Sequence, residues 1–306
     1  MQTPAQCMLH LTATALLAMT ATAQDAPKPA KAAQDQVKPA QKHLVRFSFK
    51  QGVKRYNIID ISMTHAMNMG AKDLTTIVKT TIWTTTTVKA TSGNTADIEQ
   101  KVTRIKSVAD SLMMKVNYDS DDEDSDPGAL RNLEDLVGKT TTMRLTDRGK
   151  VIEIKVPDAA NEAQPAGIDL NELIKSTVTE LPDRPIAVGE TWKISQEIPI
   201  GDAGKAAGVM HYKLLSINKQ TIALQQRLEV DTSNVQMPGV TELTMAITGT
   251  LGLDLMTGSP TQMHMESKTN CKGPAMSVST NTRQQIKPAK APKVNPTKPT
   301  TGKASK

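Results

Sequence analysis

Between Ile59 and Met69 the chain reads Ile-Asp-Ile-Ser-Met-Thr-His-Ala-Met-Asn-Met. Side chains alternate faces along a strand, so Met63, His65, Met67 and Met69 project together. Thioether plus imidazole is a soft donor set that suits Cu(I). The same alternation puts Ile59 and Ile61 on that face, which marks it as a core face. Sixteen Met against two Phe also mark methionine as a general core filler in this chain. A copper site and ordinary packing are both open readings of these four residues.

The run Asp119-Ser120-Asp121-Asp122-Glu123-Asp124-Ser125-Asp126 concentrates hard oxygen donors. Asp122, Asp124 and Asp126 imitate the start of an EF-hand loop and would suit Ca²⁺. However, Gly128 falls one place late, and Leu133 stands where a bidentate Glu is needed. The plainer reading is a solvated loop ahead of a helix, whose N-terminus also favours negative charge.

Beyond the leader, the histidines are His43, His65, His211 and His264, and no pair has the spacing of a metal motif. There is no Gly-x-Ser-x-Gly elbow and no phosphate-cradling glycine loop. Catalytic residues can converge from distant positions, so an unrecognised hydrolase stays an alternative, but no catalytic residue is nominated and no cofactor is expected. The aromatic rings are Phe47, Phe49, Tyr56, Trp83, Tyr118, Trp192 and Tyr212. Seven rings, mostly at strand starts or in alternating runs, leave little for a stacking platform, and specific nucleic-acid binding is not expected.

These residues are carried by a chain with an export signal. Residues 1–23 hold no Asp, Glu, Lys or Arg, and Leu11, Leu16, Leu17 and Met19 centre a run that is apolar apart from His10 and several Thr. Ala21-Thr22-Ala23 is an A-x-A site, which predicts cleavage before Gln24, although the usual positive start is missing. The run is shorter than the ~20 residues of a membrane span, so no span is expected after cleavage. Cys7 leaves with the leader, and Cys271 alone makes no internal disulfide. The expected destination is periplasmic or extracellular.

The net charge of +6 belongs to the ends. Residues 24–43 have four Lys and two Asp, a surplus of +2, and residues 287–306 have six Lys and no acid. The body between them is therefore slightly acidic, at −2. Both end segments are rich in Pro and Lys with little apolar content, which predicts a disordered linker over 24–43 and a disordered tail over 287–306. The tail's lysines would suit an anionic polymer of the envelope.

The body, 44–286, alternates with a period of two. Leu243, Met245, Ile247, Leu251, Leu253 and Leu255 share one face, with Thr244, Thr248, Thr250 and Asp254 on the other. Ile222, Leu224, Leu228 and Val230 oppose Thr221, Gln225, Arg227 and Glu229 in the same way. Such runs predict long antiparallel strands with one wet face. Two stretches change to a helical period: Leu130, Leu133, Leu136 and Val137, and then a helix at about 168–181 after the N-cap Asp169. The expected fold is α+β, mainly antiparallel β, with a few short amphipathic helices. Its two similar halves of curved strands would span 44–156 and 183–286. The strand–Gly turn–strand units around Asp147-Arg148-Gly149 and Met256-Thr257-Gly258 hint at this duplication.

Leu181-Pro182-Asp183-Arg184-Pro185 followed by Val188-Gly189-Glu190-Thr191-Trp192 resembles a Leu-Pro-x-x-Pro-Val-x-x-Gly-x-x-Trp stretch, with Ile186 in place of the Val. That stretch introduces the second half in a family of uncharacterised exported bacterial proteins, many of them lipoproteins. The resemblance implies long antiparallel strands and an export route, and no activity. The expected role is thus non-catalytic: an exported cell-envelope or secreted protein that binds a lipid or other hydrophobic ligand. A copper carrier through the Met/His strand is the alternative, beside the hydrolase.

Overall fold

The computed structural model describes residues 41–291 except 71, 112–114, 129–133, 158–177, 201–204, 234, 236–239 and 275. The chain lays down β1 (Lys54–Asn68), β2 (Asp73–Ser92), β3 (Thr95–Asp110), β4 (Lys115–Asp119), β5 (Thr140–Thr146) and β6 (Val151–Lys155). The second half adds β7 (Thr191–Pro199), β8 (Lys205–Ile217), β9 (Thr221–Asp231), β10 (Glu242–Asp254), β11 (Pro260–Lys272) and β12 (Ser277–Pro288). β-Branched side chains dominate β2, where Thr, Val and Ile suit a pleated, half-buried surface.

All twelve described strands join one antiparallel sheet, in the order β6-β5-β3-β2-β1-β12-β11-β10-β9-β8-β7, with β4 beside the far half of β3. The first and last strands pair at its centre, from Asn57 opposite Pro288 to Asn68 opposite Ser277. β12 thus runs two residues past the expected end of the body, and Ala289 N–H still donates to the Tyr56 carbonyl (2.7 Å).

Helices were expected over this sheet, and that fold class is overturned: among the described residues no helix of even one turn occurs. Of the first expected helix, Glu134–Lys139 is described, and it forms a tight turn. There Val137 N–H donates to the Glu134 carbonyl (2.9 Å) and Lys139 N–H to the Leu136 carbonyl (3.1 Å). The physical reason is a fork in the sheet. β3 pairs with β4 through Lys106–Asp110 and with β5 through Thr95–Lys101, so the β4–β5 connection sits in the gap. Leu136 and Val137 plug it against Ile105, Val116 and Tyr118. Of the four residues that gave the helical spacing, Leu136 and Val137 are these plug residues, and Leu130 and Leu133 lie outside the described residues. The second expected helix lies outside the described residues, except for Val178–Leu181, which is irregular.

The sheet is curled. Phe47 N–H donates to the Asp147 carbonyl in the β5–β6 turn (2.7 Å), and the next residue, Ser48, donates to Leu255 after β10 (2.7 Å). Those two carbonyls follow β5 and β10, six strand spacings apart in the sheet, about 29 Å at ~4.8 Å each. The two neighbours of one extended segment are only ~10 Å apart, so the sheet must wrap to bring them there. The segment 43–50 closes this end of the curl, helped by a bridge between His43 and Ile186. Val45 and Phe47 lie inside with Leu251, Met263 and Ile286, which identifies the concave face as the buried one.

Glycine makes the clasp possible. Gly149 has φ +87°, and a Cβ there would lie 2.3 Å from the Thr179 carbonyl oxygen and 2.9 Å from the Phe47 ring. Gly258 (φ +68°) stands against Phe49 in the other hairpin, and the Phe47 and Phe49 rings stack 5.4 Å apart. The two hairpins that resembled each other in sequence therefore grip neighbouring residues of one segment.

At the same end Asp254 departs from the alternation. Expected on the wet face, it is fully buried. Its Oδ1 accepts from Met256 N–H (2.9 Å), Thr257 N–H (2.9 Å) and the Thr257 hydroxyl (3.1 Å), and Arg55 pairs with its Oδ2. The strand ends here, and a carboxylate that caps a turn no longer follows the pleat.

Candidate functional site

The inner face is built in rows, because antiparallel registers align residues of equal parity across many strands. One row runs Ile59, Ile286, Met263, Leu251, Leu224, Leu214 and is apolar throughout. Towards the far end comes Ile61, Gln284, Met265, Gly249, Gln226, Tyr212. In that row Gly249 lacks a side chain, and the Gln226 amide reaches over it to the Met265 sulfur. Next is Met63, Thr282, Ser267, Ile247, Leu228, Met210, and then His65, Thr280, Thr269. A last row, Met67, Val278, Cys271, is apolar again. The curled interior therefore carries a polar band between two apolar zones.

The band is buried. His65 is 6% exposed, Thr280 2% and Thr282 0%, and Ser267, Thr269, Gln226 and Gln284 are buried with them. His65 Nδ1 lies 2.8 Å from the Thr280 hydroxyl, while Nε2 has no partner. The Thr282 hydroxyl also lacks one. Burial alone lowers the His65 pKa below its ordinary value, because desolvation disfavours the imidazolium; the ring is neutral at neutral pH. On the neighbouring strands the Thr80 and Ser107 hydroxyls satisfy each other at 2.8 Å. Within the rows described above the atoms without a partner lie on β1 and β12, and Thr84 on β2 carries a further unpartnered hydroxyl.

Of the four residues nominated on β1, three share this face. Met69 lies past the strand end and is 40% exposed. Met63 packs with Val78, Ile105 and Val116, whereas Met67 packs with Cys271 and Val278. The two methionines belong to different packing clusters on either side of His65. In the acidic loop the carboxylates turn back on the backbone: Asp122 Oδ1 accepts from Asp124 N–H (3.2 Å) and Asp126 Oδ1 from Gly128 N–H (2.8 Å). Arg104, lying over Trp83, clasps Asp119 through two hydrogen bonds (3.0 and 2.7 Å) and holds its carboxyl below the usual carboxylate range. Among the described residues no group of three or more His, Cys, Asp or Glu is placed to hold a metal ion.

The other histidines sit elsewhere. His43 joins the closing segment to Ile186 through the backbone. His211 lies beside Glu229 (3.0 Å), which also pairs with Arg227, and His264 approaches the Gln285 amide (3.2 Å). Sequence reasoning missed Thr280, Thr282, Ser267 and Gln226. One signal was present in β12: Val278 and Ile286 share parity with Thr280, Thr282 and Gln284, so the polar residues had to lie on a face with apolar ends.

The outer face has the opposite character. Cross-strand ion pairs join Asp60 to Lys287 (2.6 Å), Glu266 to Arg283 (2.8 Å), Glu242 to Lys272 (2.7 Å) and Asp97 to Arg144 (2.7 Å). A membrane-spanning barrel needs an apolar band outside, and this sheet carries charge there. No helix among the described residues is long and apolar enough to cross a membrane.

No family model matches the chain, and no curated protein matches it. Among solved structures, lipovitellin, described for its lipid–protein interactions, is similar at 11% identity and a TM-score of 0.49, over 81% of this chain and 26% of that one. The chain thus spans about a quarter of the lipovitellin chain's length. DynF from the dynemicin biosynthesis pathway of Micromonospora chersina is similar at 8% identity and a TM-score of 0.24, over 90% of this chain and 98% of that one. An outer membrane channel from Pseudomonas putida F1 gives 6% and 0.25, over 79% and 97%. At such scores none of them carries a functional reading, which rests on the geometry of the inner face.

Proposed function

We propose that this chain is an exported, non-catalytic binding protein that carries a hydrophobic or amphiphilic ligand against the inner face of its curled sheet. The observation that supports this reading is the polar band with unpartnered atoms lying between apolar rows. Native interiors pair nearly all their buried polar groups, and an apolar surface with a few convergent polar groups is the usual make-up of a small-molecule site. The charged outer face keeps the sheet in water. The leader at residues 1–23 supports the exported part.

The experiment is native mass spectrometry of protein recovered from the envelope or medium fraction of its own cells. A bound species of a few hundred daltons, lost on extraction with organic solvent, is the expected result. A native mass equal to that of the bare polypeptide in both fractions overturns the reading, and a mass increment of one copper would favour the Met/His alternative.

A further inference from the structure

The interior polar band is one-sided in its chemistry. It consists of hydroxyls, amides and one imidazole, and the buried charge described inside the protein, Asp254, lies at the closed end and is matched by Arg55. Among the described residues no Lys or Arg is buried at the band to meet a phosphate or carboxylate there, and an unpaired buried charge is costly. A neutral group suffers no such penalty.

The unmet atoms narrow the choice. If Thr280 donates to His65 Nδ1, then Nε2 carries the proton and needs an acceptor. If Nδ1 donates to Thr280, Nε2 needs a donor. The Thr282 hydroxyl, also without a partner, can both give and take. A hydroxyl satisfies either arrangement, because it is donor and acceptor at once. His65 and Thr282 lie on paired strands one row apart, since Met63 is the residue opposite Thr282. A single small group can therefore reach both.

We propose that His65 and Thr282, with Thr280 orienting the ring, form the head-group site for a neutral amphiphile bearing a hydroxyl. This rests on the binding role proposed above and assigns the ligand's class and polarity.

The test is displacement of the uncharged fluorophore N-phenyl-1-naphthylamine from lipid-stripped protein by decan-1-ol or by sodium decanoate, at pH 7.5. Wild type should prefer the alcohol over the carboxylate by roughly ten-fold or more, the worth of one to two buried hydrogen bonds. Thr282→Val, which keeps the side-chain shape, and His65→Gln, which keeps a polar group, should each weaken displacement by decan-1-ol and so shrink that preference. Melting curves of both variants establish that they fold. Equal potency of the two ligands in wild type overturns the head-group site, as does a preference unchanged in both variants; an internal water would then satisfy His65 and Thr282. Failure of the fluorophore and of both ligands to bind wild type removes the binding role itself, and the head-group site with it.

Discussion

His65 couples the interior to pH. Its folded-state pKa lies below the ordinary 6.5 because it is buried, so the unfolded chain binds the proton more readily. Stability is then fully present above about pH 6.5 and falls as pH drops through the window between that value and the folded pKa. The slope is at most ~1.4 kcal/mol per pH unit for one proton. Urea unfolding at pH 7.5, 6.5 and 5.5 should show this loss in wild type, and His65→Leu should flatten it over the same range. The carboxyls held low by arginine, Asp97 through Arg144 and Asp119 through Arg104, lose their contribution only at more acid pH. An equal slope in wild type and variant would show that His65 is not the titrating group. The methionines beside it were legible from sequence as face-sharing residues. Which neighbours surround them was not, because register between strands 200 residues apart leaves no mark in either strand alone.

At the scale of elements, the strands were readable and their cover was not. Period-two alternation gave β9 and β10 face by face, apart from Asp254, whose role depends on Arg55 from a strand three places away in the sheet. At the described end of the first expected helix, Leu136 and Val137 plug the fork in the sheet, a use that their spacing does not distinguish from a helix stripe. The turn glycines were visible, and the structure shows which of them cannot change. Gly149→Ala would combine a left-handed backbone with a Cβ inside the van der Waals radius of the Thr179 oxygen and the Phe47 ring. The expected cost is about 3 kcal/mol or more, measured as a drop in the urea midpoint. Gly52, also at positive φ (+80°), has open space around it, so Gly52→Ala should cost only about 1 kcal/mol. Comparable losses at both positions would mean that backbone strain, and not the clasp, sets the cost.

For the whole molecule, charge separates by location: ion pairs clothe the outer face and lysines collect at the chain end. Six lysines in residues 287–306 were read as a tether to an anionic envelope polymer. Lys287 instead belongs to β12 and pairs with Asp60 on the outer face of the sheet. A chain stopped after Ala291 keeps β12 and the Ala289–Tyr56 hydrogen bond, so its melting temperature should match that of the full chain. If the remaining lysines tether the protein, the full chain should sediment with envelope material at low salt and the shortened one should not. The difference should vanish at high salt, where exposed charges are screened within ~3 Å at 1 M. Equal sedimentation at low salt would leave the tail without a tethering role.

The central pairing of β1 with β12 also sets a schedule. Each half can zip its own hairpins as soon as they are made, since those contacts are local. The seam that joins them waits for almost the last residues, with Asn57 meeting Pro288. Closing so long a loop is slow, and until then β1 presents a fifteen-residue open edge of the kind that recruits other chains. If the chain crosses a membrane as an unfolded thread, the seam cannot close until the residues of β12 are across. The same delay makes the interval before β12 arrives the period in which the chain is most exposed to aggregation and proteolysis.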